Sequence, residues 1–129
     1  MINRDMCAVI LELSKQFSIV TITGPRQSGK TTIARAVFPD KPYVSLEDKD
    51  VLLFAQTDPR KFLASYSDGG IFDEIQRAPD LLSYLQTIVD NDKRKGLFIL
   101  TGSHQLMLQQ SISQSLAGRT ALLSLLPLS

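Results

Sequence analysis

Residues 24–31 read Gly24-Pro25-Arg26-Gln27-Ser28-Gly29-Lys30-Thr31. This stretch matches the pattern Gly-x-x-x-x-Gly-Lys-Ser/Thr at every fixed position. Glycine at both ends allows the backbone to curl so that successive N–H groups point inward at an anion. The stretch therefore predicts a phosphate-binding loop. A glycine-rich turn that holds no ligand is the alternative.

The residues on either side of this loop fit a position between a strand and a helix. Residues 18–23 form a short β-branched run, which predicts a buried strand that stops at Gly24. Residues 30–37 predict a helix that ends before Pro39. The positive end of that helix's dipole would then face the same anion as the loop.

Two side chains at the end of the loop suit the charged end of a nucleotide. Lys30 can supply a positive charge to the β- and γ-phosphates, and the Thr31 hydroxyl is a hard oxygen ligand suited to Mg²⁺. We therefore expect ATP, or another nucleoside triphosphate, together with Mg²⁺. The residues predicted to hold this ligand are Gly24, Pro25, Arg26, Gln27, Ser28, Gly29, Lys30, Thr31 and Thr32.

An acidic pair, Asp73-Glu74, follows the short apolar run Ile71-Phe72. Magnesium needs a carboxylate near the Thr31 hydroxyl, and a second acidic group must orient or deprotonate the attacking water. We assign Asp73 to the metal and Glu74 to the water. The alternative is an acid pair that only stabilises the start of the following helix.

Three further side chains are candidates for contact with the γ-phosphate. Thr101 or Ser103, at the end of an apolar run, could hydrogen-bond the γ-phosphate or the water, because ligands lie at the carboxyl ends of parallel strands. A plain strand-ending turn is the alternative there. Arg119 is either an arginine finger that reaches a neighbouring subunit, or a surface ion pair or helix C-terminal charge.

Strand and helix signals alternate along the chain, which is typical of a parallel sheet between helix layers. The first helix is indicated by apolar residues at three- and four-residue steps from Ile2 to Phe17. The other signals are strands at Tyr43 to Leu46, Ile71-Phe72, Leu97 to Thr101 and Thr120 to Leu126, and helices at 51–55, from Pro59 and from Pro79. We predict one three-layer α/β domain over residues 1–129, with a mostly parallel sheet of about five strands flanked by helices.

Composition narrows the class of partner. A formal net charge of +1 gives no general attraction to nucleic acid or to an acidic membrane surface. No stretch is long and apolar enough for a membrane span, and a single cysteine, Cys7, fits the reducing cytoplasm.

His104 has no second ligand for a zinc site. We expect Glu47-Asp48 to end a strand in solvent, with the nucleotide crevice as the alternative.

These residues together resemble the bacterial and archaeal AAA-type P-loop ATPases. The matching stretches are Ile22 to Thr32, Phe72 to Asp80, Leu100 to Ser103 and Ser115 to Arg119. Members of that family are longer, so the resemblance also implies a fragment that lacks a downstream C-terminal domain. The residues that the resemblance implies as loop, magnesium, catalytic, sensor and finger residues are Lys30, Thr31, Asp73, Glu74, Thr101 or Ser103, and Arg119.

The sequence departs from that family in two places. The strand before Asp73 has only Ile71 and Phe72 after two glycines, so we expect the carboxylates to be less firmly held. His104 stands where another small or polar residue is expected.

ATP hydrolysis coupled to a conformational switch is the leading hypothesis. A nucleotide-binding sensor or scaffold with little turnover is the second. A small P-loop kinase is the third, and it is disfavoured because residues 105–114 contain no arginine for a lid. A homo-oligomer formed through Arg119 is a possible assembly, and the sequence does not identify an output partner.

Overall fold

The computed structural model describes residues 4–25 and 28–125 of the chain. The sequence predictions for Ile2, Arg26, Gln27 and Leu126 lie outside these residues. No helix among the described residues reaches the length and apolar character that a bilayer span requires.

Five parallel strands form one sheet in the order β2-β3-β4-β1-β5. Since all strands run in one direction, their carboxyl ends meet at a single edge, which we call the carboxyl edge. The strands are β1 (Ile19–Thr23), β2 (Tyr43–Ser45), β3 (Gly70–Asp73), β4 (Phe98–Gly102) and β5 (Thr120–Ser124). The predicted α/β class and the parallel five-stranded sheet are confirmed.

Within the described ranges, six α-helices flank the sheet, and a short 3-10 turn at Ile75–Arg77 follows β3. Asp58 caps one of these helices, since its side chain accepts a hydrogen bond from the backbone N–H of Lys61 at 3.1 Å. The helices are α1 (Arg4–Gln16), α2 (Lys30–Val37), α3 (Lys49–Thr57), α4 (Pro59–Ala64), α5 (Leu81–Asn91) and α6 (Leu106–Leu116).

Two apolar clusters lie on opposite faces of the sheet, because successive side chains of a strand point to opposite sides. On one face, Ile71 and Ile99 pack with buried residues of α1 and α2, such as Ile10 and Ile33. On the other face lies the larger cluster, in which Phe72 and other strand residues pack with buried residues of α3 to α6. This arrangement gives the three layers that the sequence predicted.

Several predicted boundaries need correction. The helix predicted from Pro79 begins at Leu81, because residues 75–77 first form the 3-10 turn. The strand predicted from Leu97 runs from Phe98 to Gly102, and the last strand ends at Ser124. Helix α6 was not predicted. Cys7 is half-buried and packs against the smaller cluster.

We predict that Phe72→Ala destabilises the fold by ~3–5 kcal/mol, as expected for an aromatic side chain lost from a packed core. Phe72 is 0% exposed, and its ring lies 5.3 to 5.7 Å from those of Phe62, Tyr66 and Phe98. Urea unfolding would show a lower midpoint at an unchanged slope. Leu53→Ala is the matched control, because Leu53 is 64% exposed. Equal losses in the two variants would contradict the assigned core.

Candidate nucleotide-binding site

The predicted phosphate-binding loop joins β1 to α2 at the carboxyl edge. The Gly24 N–H donates to the Gly102 carbonyl at 3.1 Å, which ties the start of the loop to the end of β4. A Cβ at Gly24 would lie 2.7 Å from Ser28 Oγ and 3.1 Å from the Leu125 carbonyl oxygen, so another residue there would displace the Ser28 side chain. Gly29 adopts φ 83° and ψ 13° directly before Lys30, the first residue of α2. The backbone conformation therefore favours glycine at position 29, and close packing favours it at position 24.

Lys30 is 4% exposed and lies inside the crevice at this edge. Its Nζ donates to the carbonyl of Pro25 at 3.4 Å and lies 3.3 Å from Glu74 Oε1. A buried ammonium group is costly unless it is paired, so these two contacts hold the lysine in place. Thr32, the last predicted ligand residue, is exposed at the third position of α2.

Asp73, at the end of β3, is 5% exposed and accepts three hydrogen bonds. Its Oδ1 accepts from Thr31 Oγ1 at 2.8 Å and from the Thr101 hydroxyl. Its Oδ2 accepts from the Tyr43 hydroxyl at 2.7 Å. The expectation that the short strand leaves its carboxylates loosely held is therefore wrong for Asp73.

Tyr43, on the neighbouring strand β2, was missed in the sequence analysis. Burial first, and then the hydrogen bond to Asp73 and the charge of that carboxylate, raise the pKa of Tyr43 to about 12. The Arg35 guanidinium lies 4.3 Å from the centre of the tyrosine ring. Tyr43 therefore acts as a constant hydrogen-bond donor to the carboxylate.

Glu74 has φ 63° and ψ 53°, the left-handed conformation, and it is the single non-glycine residue with positive φ in the part of the chain that the structure describes. This conformation costs ~1–3 kcal/mol, and such residues cluster at functional sites. Two backbone bonds support it: the Glu74 N–H donates to Thr101 Oγ1, and the Glu74 carbonyl accepts from the Arg77 N–H, both at 3.1 Å. The turn directs the carboxylate toward Lys30.

Gln76 links this carboxylate to the end of β4, and sequence reasoning missed it as well. Its Nε2 donates to Glu74 Oε2 at 2.6 Å, while its Oε1 accepts from the Ser103 N–H at 3.1 Å. Because the Ser103 N–H can only donate, the orientation of the amide is fixed, with its NH₂ group on Glu74. The only sequence signal was its position two residues after Glu74.

A cleft of about 270 Å³ opens between the loop and the 3-10 turn. Ser103 Oγ is buried there and has no hydrogen-bond partner among the described residues, and the same holds for Ser28 Oγ in the loop. The Thr101 hydroxyl is already used by Asp73 and Glu74, so Ser103 is the sensor candidate that faces the cleft. The cleft is lined by Gly24, Lys30, Glu47, Glu74, Gln76, Arg77 and Ser103.

Glu47 and Asp48 are both exposed, as expected. Glu47 also lines the cleft, which was the alternative interpretation. Asp48 instead caps α3, because its side chain accepts from the N–H groups of Asp50 and Val51. His104 lies outside the cleft lining and contacts Gln109 at 3.2 Å.

Arg119 is not brought to the cleft. It precedes β5 and so lies at the opposite, amino edge of the sheet, where it forms a two-point ion pair with Asp90 at 2.7 and 2.9 Å. Hydrogen bonding to Arg119 lowers the pKa of Asp90 below its usual value. Of the two sequence interpretations, this chain shows the surface ion pair.

A larger groove of about 1020 Å³ lies between α4 and α5, lined in part by Arg60, Tyr66 and Tyr84. It contains none of the predicted site residues. The predicted site residues Gly24, Lys30, Glu74 and Ser103 line the smaller cleft instead.

Comparison with known proteins shows the family of the chain. The chain matches the AAA domain family over residues 16–129. It belongs to the AAA-type P-loop ATPases. Two relatives, both described as uncharacterized proteins, come from Mycobacterium bovis and Mycobacterium tuberculosis. Each is 35% identical over 124 residues, which cover 95% of this chain and 28% of the relative. The chain thus spans well under half the length of these relatives.

Solved structures show the same fold at low sequence identity. A Walker-type ATPase of Pyrococcus abyssi aligns with a TM-score of 0.63 at 19% identity, over 100% of this chain and 55% of the other. PCH-2 of C. elegans aligns with a TM-score of 0.58 at 16% identity, over 96% and 41%. A signal transduction ATPase with numerous domains and a tetratricopeptide repeat sensor, from Pyrococcus horikoshii, aligns with a TM-score of 0.56 at 14% identity, over 97% and 23%.

We predict that Tyr43→Phe removes a tyrosinate transition near pH 12 from the absorbance titration. The folded-state pKa lies above the ordinary value of 10.0, so the stability that this hydroxyl contributes is complete below pH 10 and is lost as the pH rises toward 12. The stability difference between the wild type and Tyr43→Phe should therefore shrink above pH 10. Tyr84→Phe is the control and should leave the transition near pH 12 in place. If the transition near pH 12 were still present in Tyr43→Phe, the contact between Tyr43 and Asp73 would be contradicted.

Proposed function

We propose that this chain binds ATP with magnesium and hydrolyses it, and that the reaction drives a conformational switch. The observation that carries the proposal is the convergence of two pairs of groups at the carboxyl edge. Thr31 Oγ1 donates to Asp73 Oδ1 at 2.8 Å, and Lys30 Nζ lies 3.3 Å from Glu74 Oε1. A hydroxyl, an ammonium group and two carboxylates in one crevice are the groups that phosphoryl transfer to water requires.

The residues of the cleft fit a magnesium–triphosphate complex. Ser28 Oγ and Ser103 Oγ are buried hydroxyls without partners among the described residues, and each can donate to a phosphate oxygen. Lys30 brings a buried positive charge to the same place. Magnesium, when bound, neutralises charge on the β- and γ-phosphates, and Thr31 and Asp73 are the residues that would hold it.

In the proposed reaction, Glu74 orients a water molecule and accepts its proton. The water oxygen forms a bond to the γ-phosphorus while the bond to the β,γ-bridging oxygen breaks, so that ADP and phosphate leave. Lys30 stabilises the negative charge that spreads over the transferred group. Because Glu74 contacts Lys30 in this structure, a triphosphate must take over the lysine before the carboxylate can serve the water.

A nucleotide sensor or scaffold with little turnover is the second candidate. The Lys30–Glu74 contact favours it, because a carboxylate held on a lysine is not available to a water molecule. A small P-loop kinase is less well supported, since α6, which follows Ser103 in the chain, carries no arginine or lysine for a lid.

The proposal also includes the cellular compartment and the oligomeric state. The single cysteine, Cys7, forms no disulfide, which favours the reducing cytoplasm. A homo-oligomer in which Arg119 reaches a neighbouring site stays a prediction, and it would require the ion pair with Asp90 to open.

We predict that Lys30→Ala weakens binding of magnesium–ATP by about 10- to 100-fold, because a charge-assisted contact contributes ~1.5–3 kcal/mol. Glu74→Gln should instead keep binding while turnover falls by about 10²- to 10⁴-fold, the usual contribution of a general base. Isothermal titration and a phosphate-release assay measure the two quantities. Lys95→Ala, an exposed lysine outside the cleft lining, is the control.

The outcomes of this experiment separate the candidates. Unchanged ATP affinity in Lys30→Ala would remove the basis for any nucleotide function. Tight binding by the wild type with negligible phosphate release would select the sensor. Undiminished release by Glu74→Gln would show that another group serves the water.

We predict that Gln76→Ala lowers kcat by about 10- to 100-fold with little change in ATP affinity, because it removes a hydrogen bond to the Glu74 carboxylate. Gln76 acts through Glu74, so the same substitution in a Glu74→Gln background should have no further effect on kcat. Gln110→Ala, at an exposed position of α6, is the control. Additive losses in the double variant would mean that Gln76 has a separate role.

A further inference from the structure

Arg77 is a cation of the cleft that the proposed reaction has not used. It ends the 3-10 turn after Gln76 and lines the same cleft as Lys30 and Ser103. We infer that Arg77 binds the terminal phosphate of a nucleoside triphosphate held by its own chain, and so makes the site distinguish a triphosphate from a diphosphate. The inference rests on the proposed function, because it requires a nucleotide in this cleft.

The charges of the cleft support this assignment. Among the described residues, two cations line the cleft, and each faces a carboxylate: Lys30 faces Glu74, and Arg77 faces Glu47 at 3.6 Å. The described lining therefore has no excess of positive charge. A magnesium–triphosphate complex carries more negative charge than the corresponding diphosphate complex, so its additional phosphate needs a cation released from such a pair.

The Arg77–Glu47 pair is the more easily opened of the two. Its side chains are 48% and 39% exposed, whereas those of Lys30 and Glu74 are 5% and 15% exposed. An exposed ion pair with one contact contributes little to stability. A phosphate can accept two parallel N–H bonds from a guanidinium group, which is the stronger arrangement.

The backbone of Arg77 is fixed although its side chain is half-exposed. Its N–H donates to the Glu74 carbonyl at 3.1 Å, and its carbonyl accepts from Gln56 Nε2 at 3.3 Å. The guanidinium group can therefore change partners while its attachment point stays at the cleft. An ordered attachment reduces the entropy lost when the side chain binds.

The other arginines that the structure describes do not line this cleft. Arg35 lies over Tyr43, Arg94 contacts Asp68 and Asp92, and Arg60 lines the groove between α4 and α5. Arg119 forms its two-point pair at the opposite edge. Arg77 is thus the arginine of the described residues that a bound terminal phosphate would meet in the same chain.

The test compares a non-hydrolysable ATP analogue with ADP, each with magnesium, by isothermal titration. In Arg77→Ala, affinity for the analogue should fall by about 10-fold or more, as expected for a lost charge-assisted contact, while affinity for ADP changes less than about twofold. Arg77→Gln, which keeps most of the side chain, should give the same selective loss. Arg60→Ala is the matched control, since it removes an exposed arginine from the other groove.

Each outcome decides the inference. A selective loss of triphosphate affinity in both Arg77 variants supports it. Parallel losses for the analogue and ADP, or no loss, overturn it while nucleotide binding by the chain stands. If the wild type binds neither ligand, the proposed function falls, and this inference falls with it.

Discussion

The carboxylate of Asp73 joins three other segments of the chain through hydrogen bonds. Thr31 comes from the helix after the loop, Thr101 from β4 and Tyr43 from β2, and all three donate to this one side chain. A buried carboxylate without such donors would be costly, so each segment is held where the carboxylate needs it. The phosphate-binding loop owes its position relative to the sheet to this interaction together with the bond from Gly24 to Gly102.

Glu74 shows how adjacent residues come to differ in role. A strand places successive side chains on opposite faces, so a second carboxylate on β3 would normally point away from the first. The left-handed backbone of Glu74 removes it from that alternation, and the bonds to Thr101 and Arg77 support the turn. Strain at one residue thereby places one carboxylate against Thr31 and the next one against Lys30 in the crevice.

The loop and the acidic pair were predictable because their signals are local. The glycines, Lys30 and Thr31 lie within eight residues of the sequence. Asp58 likewise caps its helix through a residue close in sequence, Lys61. Tyr43 was not predictable, because its role depends on β2 pairing with β3, which sequence spacing does not encode. Helix α6 was missed since its apolar residues are interrupted by a run of glutamine and serine. Arg119 was left with two interpretations, and its place before a parallel strand, at the amino edge of the sheet, agrees with the ion pair that it forms with Asp90 in this chain.

The last strand leaves the sheet beside the loop. The Leu125 N–H donates to the Thr23 carbonyl at 2.8 Å, and a Cβ at Gly24 would lie 3.1 Å from the Leu125 carbonyl. The backbone of Leu125 therefore lies beside Thr23 and Gly24, where the loop begins. A displacement of Gly24 on ligand binding would act directly on the Leu125 backbone, without transmission through the apolar core.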